Sequence, residues 1–167
     1  LGHNAVAMQK PVGLEASFKG VVDLVSMKAI YFDGPSGEDL RMEEIPENLL
    51  SEALTRRETL LDAASMFSDE LMEAIVEEEI VSEELLLEAI RKGTLARKIT
   101  PVFMGSAYKN KGVQPLLDAV TRLLPCPSDI INEALDMDQE EAVVQLPCET
   151  DKPLVALAFK LEDGKYG

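Results

Sequence analysis

Apolar positions follow two different periods along this chain. Up to about residue 45 they alternate or run in short blocks, as strands do; from 46 to 92 they recur at three- and four-residue steps, as helices do. Residues 5–9 read as a strand stopped by Pro11 and Gly13. A second strand, 18–25, is β-branched and apolar, and a third covers 27–32. The turn cluster 33–37 then leads into 40–45, a hairpin partner with Leu40, Met42 and Ile45 toward a core. Pro46 opens a helical region in which Leu49, Leu50, Ala53, Leu54, Leu60, Leu61 and Ala64 form one stripe. Glu52, Arg56, Arg57, Glu58 and Asp62 fall mostly on its other side. Ser68 caps a second helix, 69 to about 78, and Ser82 a third, 83–92, both with acids in the first turn. Arg91, Lys92 and Gly93 supply the charge and the glycine expected where the third one ends. Leu86, Leu87 and Ile90 face inward, with Leu85 at the boundary.

Residues 100–125 bring strand, loop and helix together. The run 101–104 is apolar enough for a strand buried on both faces. The loop 105–112, Gly-Ser-Ala-Tyr-Lys-Asn-Lys-Gly, is small, then basic, then glycine again. In the helix that follows, Pro115 stands near the first turn, and Val113, Leu116, Leu117, Val120, Leu123 and Leu124 share one face. Such a unit binds ligands at the carboxyl end of a sheet; an ordinary strand-to-helix turn with no ligand is the plain alternative. Past Pro125 the chain reads as a linker, 126–151, helical in part near 131–137. Residues 153–161 alternate as a strand, and 162–167 form a turn.

Composition sharpens this picture. A length of 167 residues suits one domain or slightly more. The net charge is −15, from 31 acids and 16 bases, which argues against direct contact with nucleic-acid phosphates and favours a basic partner surface. Between Glu43 and Glu88 there are 15 acids and 2 bases. A solvated face accounts for most of that charge, and a docking surface is the sharper reading. Glu77, Glu78 and Glu79 are contiguous, so their carboxylates diverge on a helix; they make neither a calcium loop nor an acid–base pair. Cys126, Cys148 and the distant His3 do not compose a zinc site, so no metal is expected, and a reduced cytosolic pair is the better reading of the cysteines. No stretch is long and apolar enough to span a membrane, and no signal peptide is visible. The first residue is not Met, as expected of a processed chain or a piece of a larger one.

The run 105–120, GSAYKNKGVQPLLDAV, resembles the last guanine-nucleotide motif of translational GTPases of the elongation factor G family. The resemblance implies that Ser106, Ala107 and Tyr108 bind guanine, with the Ala107 N–H facing the base oxygen. It extends upstream, where LGHNAVAMQKPVG and FKGVVDLVSMKAIYF look like the entry into that family's G′ insert. It also extends downstream, where DKPLVALAFKLEDGKYG looks like the first strand of domain II; the acidic linker and this exit are most similar to the mitochondrial-type branch. The implied fold is α+β: a small, mostly antiparallel sheet with several helices, attached to the last strand and helix of an α/β GTPase core, plus one strand of a β-barrel. The implied divisions are 1–12, GTPase strand; 13–99, insert; 100–125, guanine-motif unit; 126–151, linker; and 152–167, first strand of domain II. GTP or GDP with Mg2+ belongs to the parent protein. So do the implied partners, the ribosomal stalk protein and the large subunit, met through an insert face that includes Glu52, Glu58 and Asp62. Two positions often acidic in that family's first insert helix are Ser51 and Thr55 here.

The phosphate loop G-x-x-x-x-G-K-[ST], the Asp-x-x-Gly stretch and the Asn-Lys-x-Asp motif do not occur in the chain. By itself, then, it is expected to have no catalytic residue, to bind nucleotide weakly at most, and to need the rest of the factor as its partner. The unpaired last strand invites self-association. A stand-alone acidic docking module and a ribosome-protection or recycling GTPase are the competing readings.

Overall fold

The computed structural model describes residues 4–161. Two compact units, Leu1–Leu124 and Pro125–Gly167, divide the chain.

In the first unit, β1 (Ala5–Ala7) passes through a bend at Met8 into β2 (Gln9–Val12). Strand β2 begins an antiparallel meander with β3 (Gly20–Asp23), β4 (Lys28–Asp33) and β5 (Asp39–Glu43), in that order across the sheet. Contrary to the sequence expectation, Pro11 does not end a strand. It sits within β2 opposite Val21, on an edge strand, where a missing N–H can be tolerated. Strand β3 stops at Asp23, whose Oδ1 accepts the N–H groups of Val25 at 2.9 Å and Ser26 at 2.8 Å. Strand β5 also departs from expectation. Leu40 is 48% and Met42 64% exposed, because β5 is the outer edge of the meander; only Ile45, just beyond it, packs partly against the core.

The helices are α1 (Glu47–Ser65), α2 (Asp69–Val76), α3 (Glu83–Leu95) and α4 (Val113–Leu123). Ser68 Oγ accepts from Leu71 N and Ser82 Oγ from Leu85 N, so both expected caps form. Ala53, Leu60 and Ala64 of α1 join Leu71, Leu86, Ile90, Met8, Val22 and Leu24 in one core. Leu50 and Leu54, expected in the stripe, are exposed on its shoulder. Arg57, expected on the polar side, is half-buried there instead. Its Nη1 donates to the Leu24 and Val25 carbonyls, both at 2.6 Å, tying α1 to the β3–β4 turn. Gly93 does not end α3, which continues to Leu95. It is buried, and a Cβ there would lie 2.8 Å from both Ile99 Cδ1 and Phe67 Cδ2.

Strand β6 (Thr100–Val102) returns beside β1 in parallel, with Val6 opposite Pro101. It is not buried on both faces as expected: Thr100 is exposed and Pro101 and Val102 are half-buried. Likewise, α4 buries Leu123 alone, while Leu116, Leu117, Val120 and the following Leu124 are exposed. Two parallel strands are too narrow a sheet to cover a helix face, and parallel sheets are ordinarily covered on both sides.

The second unit holds a hairpin of β7 (Glu133–Asp136) and β8 (Ala142–Gln145), with Leu135 opposite Val143. The helix expected near 131–137 is therefore a strand. The β-branched Val143 and Val144 give it a partner, and Asp136 caps the connecting turn by accepting from Asp138 N and Gln139 Nε2. Residues 153–161, expected as a strand, have no strand pairing and are exposed. The expected turn 162–167 and His3 lie outside the described residues.

Candidate functional site

The loop between β6 and α4 is built on two glycines. A Cβ on Gly112 would sit 2.5 Å from the Met104 carbonyl oxygen and 2.9 Å from Gly105 Cα, and Gly112 has φ +83°. Only glycine gives both this close approach and the left-handed backbone without strain. Above this base, Ser106 and Lys111 bridge the loop: Ser106 N donates to Lys111 O at 2.7 Å, and Lys111 N to Ser106 O at 3.1 Å. Residues Ala107–Lys109 form a single 3₁₀ turn, closed by Asn110 in the left-handed region at φ +49°.

This places the three sequence-derived guanine residues together on one tip. Ser106 is half-buried in the bridge, Ala107 is exposed, and Tyr108 is 99% exposed. The Ala107 N–H donates to no group among the described residues. An N–H left without an acceptor beside an exposed aromatic ring can donate to a carbonyl of a planar base while the ring packs against it. A separate open concavity, bounded in part by Met27, Leu50, Leu54, Arg57 and Val81, does not include this tip.

Residues that sequence patterns did not single out support the tip. Gln9 is fully buried and its Oε1 accepts from Met104 N at 3.1 Å. Asn110 Nδ2 donates to Ser36 O at 2.8 Å, and Gln114 Nε2 to Gly37 O at 3.1 Å. No periodicity marks such contacts, since they cross more than seventy residues of sequence.

The acidic residues named for docking do not act alike. Glu58 and Asp62 are both exposed, one helical turn apart on α1. Glu52 instead pairs with the buried Lys10 at 3.0 Å and with Arg56 at 2.9 Å. Hydrogen bonding from Lys10, then from Arg56, holds its carboxyl below the ordinary glutamate range. A depressed carboxylate stabilises the fold above its unfolded pKa, and that contribution is lost as pH falls through the folded value. Glu52→Gln is therefore expected to lower the urea midpoint at pH 7 and to flatten its decline on acidification below about pH 5. An acid limb as steep as the wild type's would show that the Lys10 pair does not contribute.

Among the described residues no three His, Cys, Asp or Glu side chains gather into a metal-holding group. Nor is any helix among them long and apolar enough to cross a membrane.

No family model matches the chain. Individual proteins do match it over its full length. Elongation factor G 1 of Syntrophus aciditrophicus (strain SB) is 67% identical over 167 residues, covering 100% of this chain and 24% of that protein. Elongation factor G 2 of Anaeromyxobacter dehalogenans (strain 2CP-C) is 59% identical over the same shares. Elongation factor G 1 of Treponema pallidum (strain Nichols) is 53% identical, again over 100% of the chain and 24% of the relative. The chain thus spans 24% of the length of these curated relatives. A Thermus thermophilus protein of known crystal structure superposes with TM-score 0.64 and 24% identity, over 78% of this chain and 20% of its own. At that identity the likeness concerns the fold alone.

Proposed function

We propose that this chain, similar along its whole length to elongation factor G, works as the part of such a translational GTPase that closes the guanine pocket and carries a ribosome-facing insert. One observation carries the reading: the 67% full-length match includes a glycine-based loop whose tip exposes Ala107 and Tyr108. In this reading Ser106 and Ala107 lie beneath the guanine base, and Tyr108 packs beside it. Phosphates and Mg2+ are held by parts of the parent outside this chain, because the motifs that hold them are not in it. The parent hydrolyses GTP in the cytoplasm to drive ribosomal translocation of tRNA and messenger RNA. Its remaining GTPase strands and helices cover the apolar face of α4 left exposed by Leu116, Leu117 and Val120.

The insert meets the ribosome, and its exposed Glu58 and Asp62 are the acids free of the Lys10 pair. Charge reversal at those two positions, leaving Glu52 alone, is the variant to compare for stalk-protein affinity; unchanged affinity would remove them from the contact.

The deciding experiment titrates the full-length protein containing this segment with fluorescent GDP and fluorescent ADP. Guanine is expected to be preferred by at least about 10⁴-fold, the scale of discrimination when a site is built around specific hydrogen bonds. Comparable affinity for ADP would overturn the guanine reading. The 18.3 kDa chain alone is expected to show no GTP turnover above a boiled control.

A further inference from the structure

The insert does more than project from the GTPase core: its β4–β5 turn reaches back and touches the loop that carries Ser106, Ala107 and Tyr108. Resting on the guanine reading above, we infer that this turn positions the guanine loop, joined to it by the Asn110–Ser36 hydrogen bond and by the close approach of Gly37 to the Asn110 backbone.

Three contacts support this, two of them from the β4–β5 turn and one from the start of β2, the first strand of the same sheet. Asn110 Nδ2 donates to Ser36 O at 2.8 Å, and Gln114 Nε2 donates to Gly37 O at 3.1 Å. Gln9, buried at the start of β2, takes the Met104 N–H two residues before Ser106. The fit at the turn is close. Gly37 is buried although it lies in a surface turn. A Cβ on it would fall 2.7 Å from Asn110 O and 3.1 Å from Lys109 O, and its φ is +65°. Phe32, at the end of β4, packs with Met104 beneath the same loop. The 3₁₀ turn Ala107–Lys109 closes on Asn110, whose N–H donates to the Ala107 carbonyl at 3.0 Å, so the residue that closes the turn is itself held by the insert. A loop tip as exposed as this one has few other means of holding one geometry, and pre-organisation of a binding loop appears chiefly in the rate of ligand release.

The test uses the full-length protein containing this segment, with release of fluorescent GDP followed by stopped flow. Asn110→Gly removes the side-chain amide but keeps the left-handed backbone accessible. Gly37→Ala acts from the insert's side: its new Cβ presses on the Asn110 and Lys109 carbonyls while every residue of the guanine motif is left unchanged. Each is expected to speed GDP release about three- to tenfold, the scale of one hydrogen bond's net contribution. The double variant is expected to release no faster than the quicker single, because the lost Asn110–Ser36 bond and the crowding at Gly37 both open the same turn–loop junction. Single-turnover hydrolysis of bound GTP is expected to stay within about twofold of wild type. Should Gly37→Ala fail to fold, Asn110→Gly decides alone. Wild-type release rates in the folded variants would overturn the positioning role while leaving the guanine reading intact. Additive effects would also overturn it. A wild-type protein with no preference for guanine would instead overturn the reading on which the inference stands.

Discussion

Replacing Ala107 with proline in the full-length parent is expected to weaken GDP binding by about 10- to 100-fold with little change in thermal stability. The argument is one of subtraction. Proline removes a single donor, the Ala107 N–H, which has no acceptor among the described residues. It should do so at little conformational cost. Residue 107 opens a 3₁₀ turn, whose φ of about −60° is the value proline imposes. Ser106 before it is already extended, with φ −132° and ψ 101°, as a residue preceding proline must be. On the guanine reading proposed above, the loss is that of one hydrogen bond to a base carbonyl left unpaired in its pocket, roughly 1.4–2.7 kcal/mol, which converts to the stated range of affinity. Equilibrium titration with fluorescent GDP, alongside a melting curve, makes the measurement. An affinity within twofold of wild type would mean that this N–H does not meet the base.

The second large effect is on stability, at Gly93. Its position near the end of an apolar, acid-fronted stretch suggests a helix terminus, but its neighbours give it a different task. Ile99 and Phe67 occupy the space where its Cβ would be. Gly93→Val is expected to destabilise the first unit by roughly 2–3 kcal/mol, as overpacking of a filled core does, read as a fall in urea midpoint at unchanged slope. Gly93→Ala is the informative control. Alanine gains about 1 kcal/mol of helix propensity, but its Cβ still meets the Phe67 ring and the Ile99 side chain at 2.8 Å, so it is expected to destabilise, by less than valine does. If valine costs no more than alanine, close packing does not explain the glycine.

These two sites also mark the limits of what the sequence discloses. Features set by neighbours in the chain were legible. Ser68 and Ser82 announced their helices because a cap acts over three residues. The loop 105–112 announced itself because small residues and glycines must recur at fixed places to make that turn. Features set by distant partners were not legible. Arg57 looks like any charge on a helix flank until the Leu24 and Val25 carbonyls are brought to it. The exposure of Leu40, Met42 and the α4 leucines follows from which surfaces are covered, and a hydrophobic pattern records only the preference to be covered. The hairpin Glu133–Gln145 was hidden by its acids: Glu133 and Asp136 flank Ala134 and Leu135, a spacing of three that suits a helical turn as well as a strand.

The pairing of β1 with β6 has an entropic consequence. Parallel neighbours need a crossover connection, commonly about a dozen residues or more, and here the crossover is the whole stretch from Met8 to Ile99. Loop-closure entropy grows only with the logarithm of length, by about 0.6 kcal/mol per doubling, so about three doublings beyond a minimal crossover cost about 2 kcal/mol. That stretch carries its own packed interior, with Leu60, Leu71, Leu86 and Ile90 fully buried. A few such side chains more than offset the closure cost at roughly 1.5–3 kcal/mol each. An insertion of this size is thus thermodynamically light for the sheet that hosts it, and the three-residue seam between β1 and β6 need not be long to hold it.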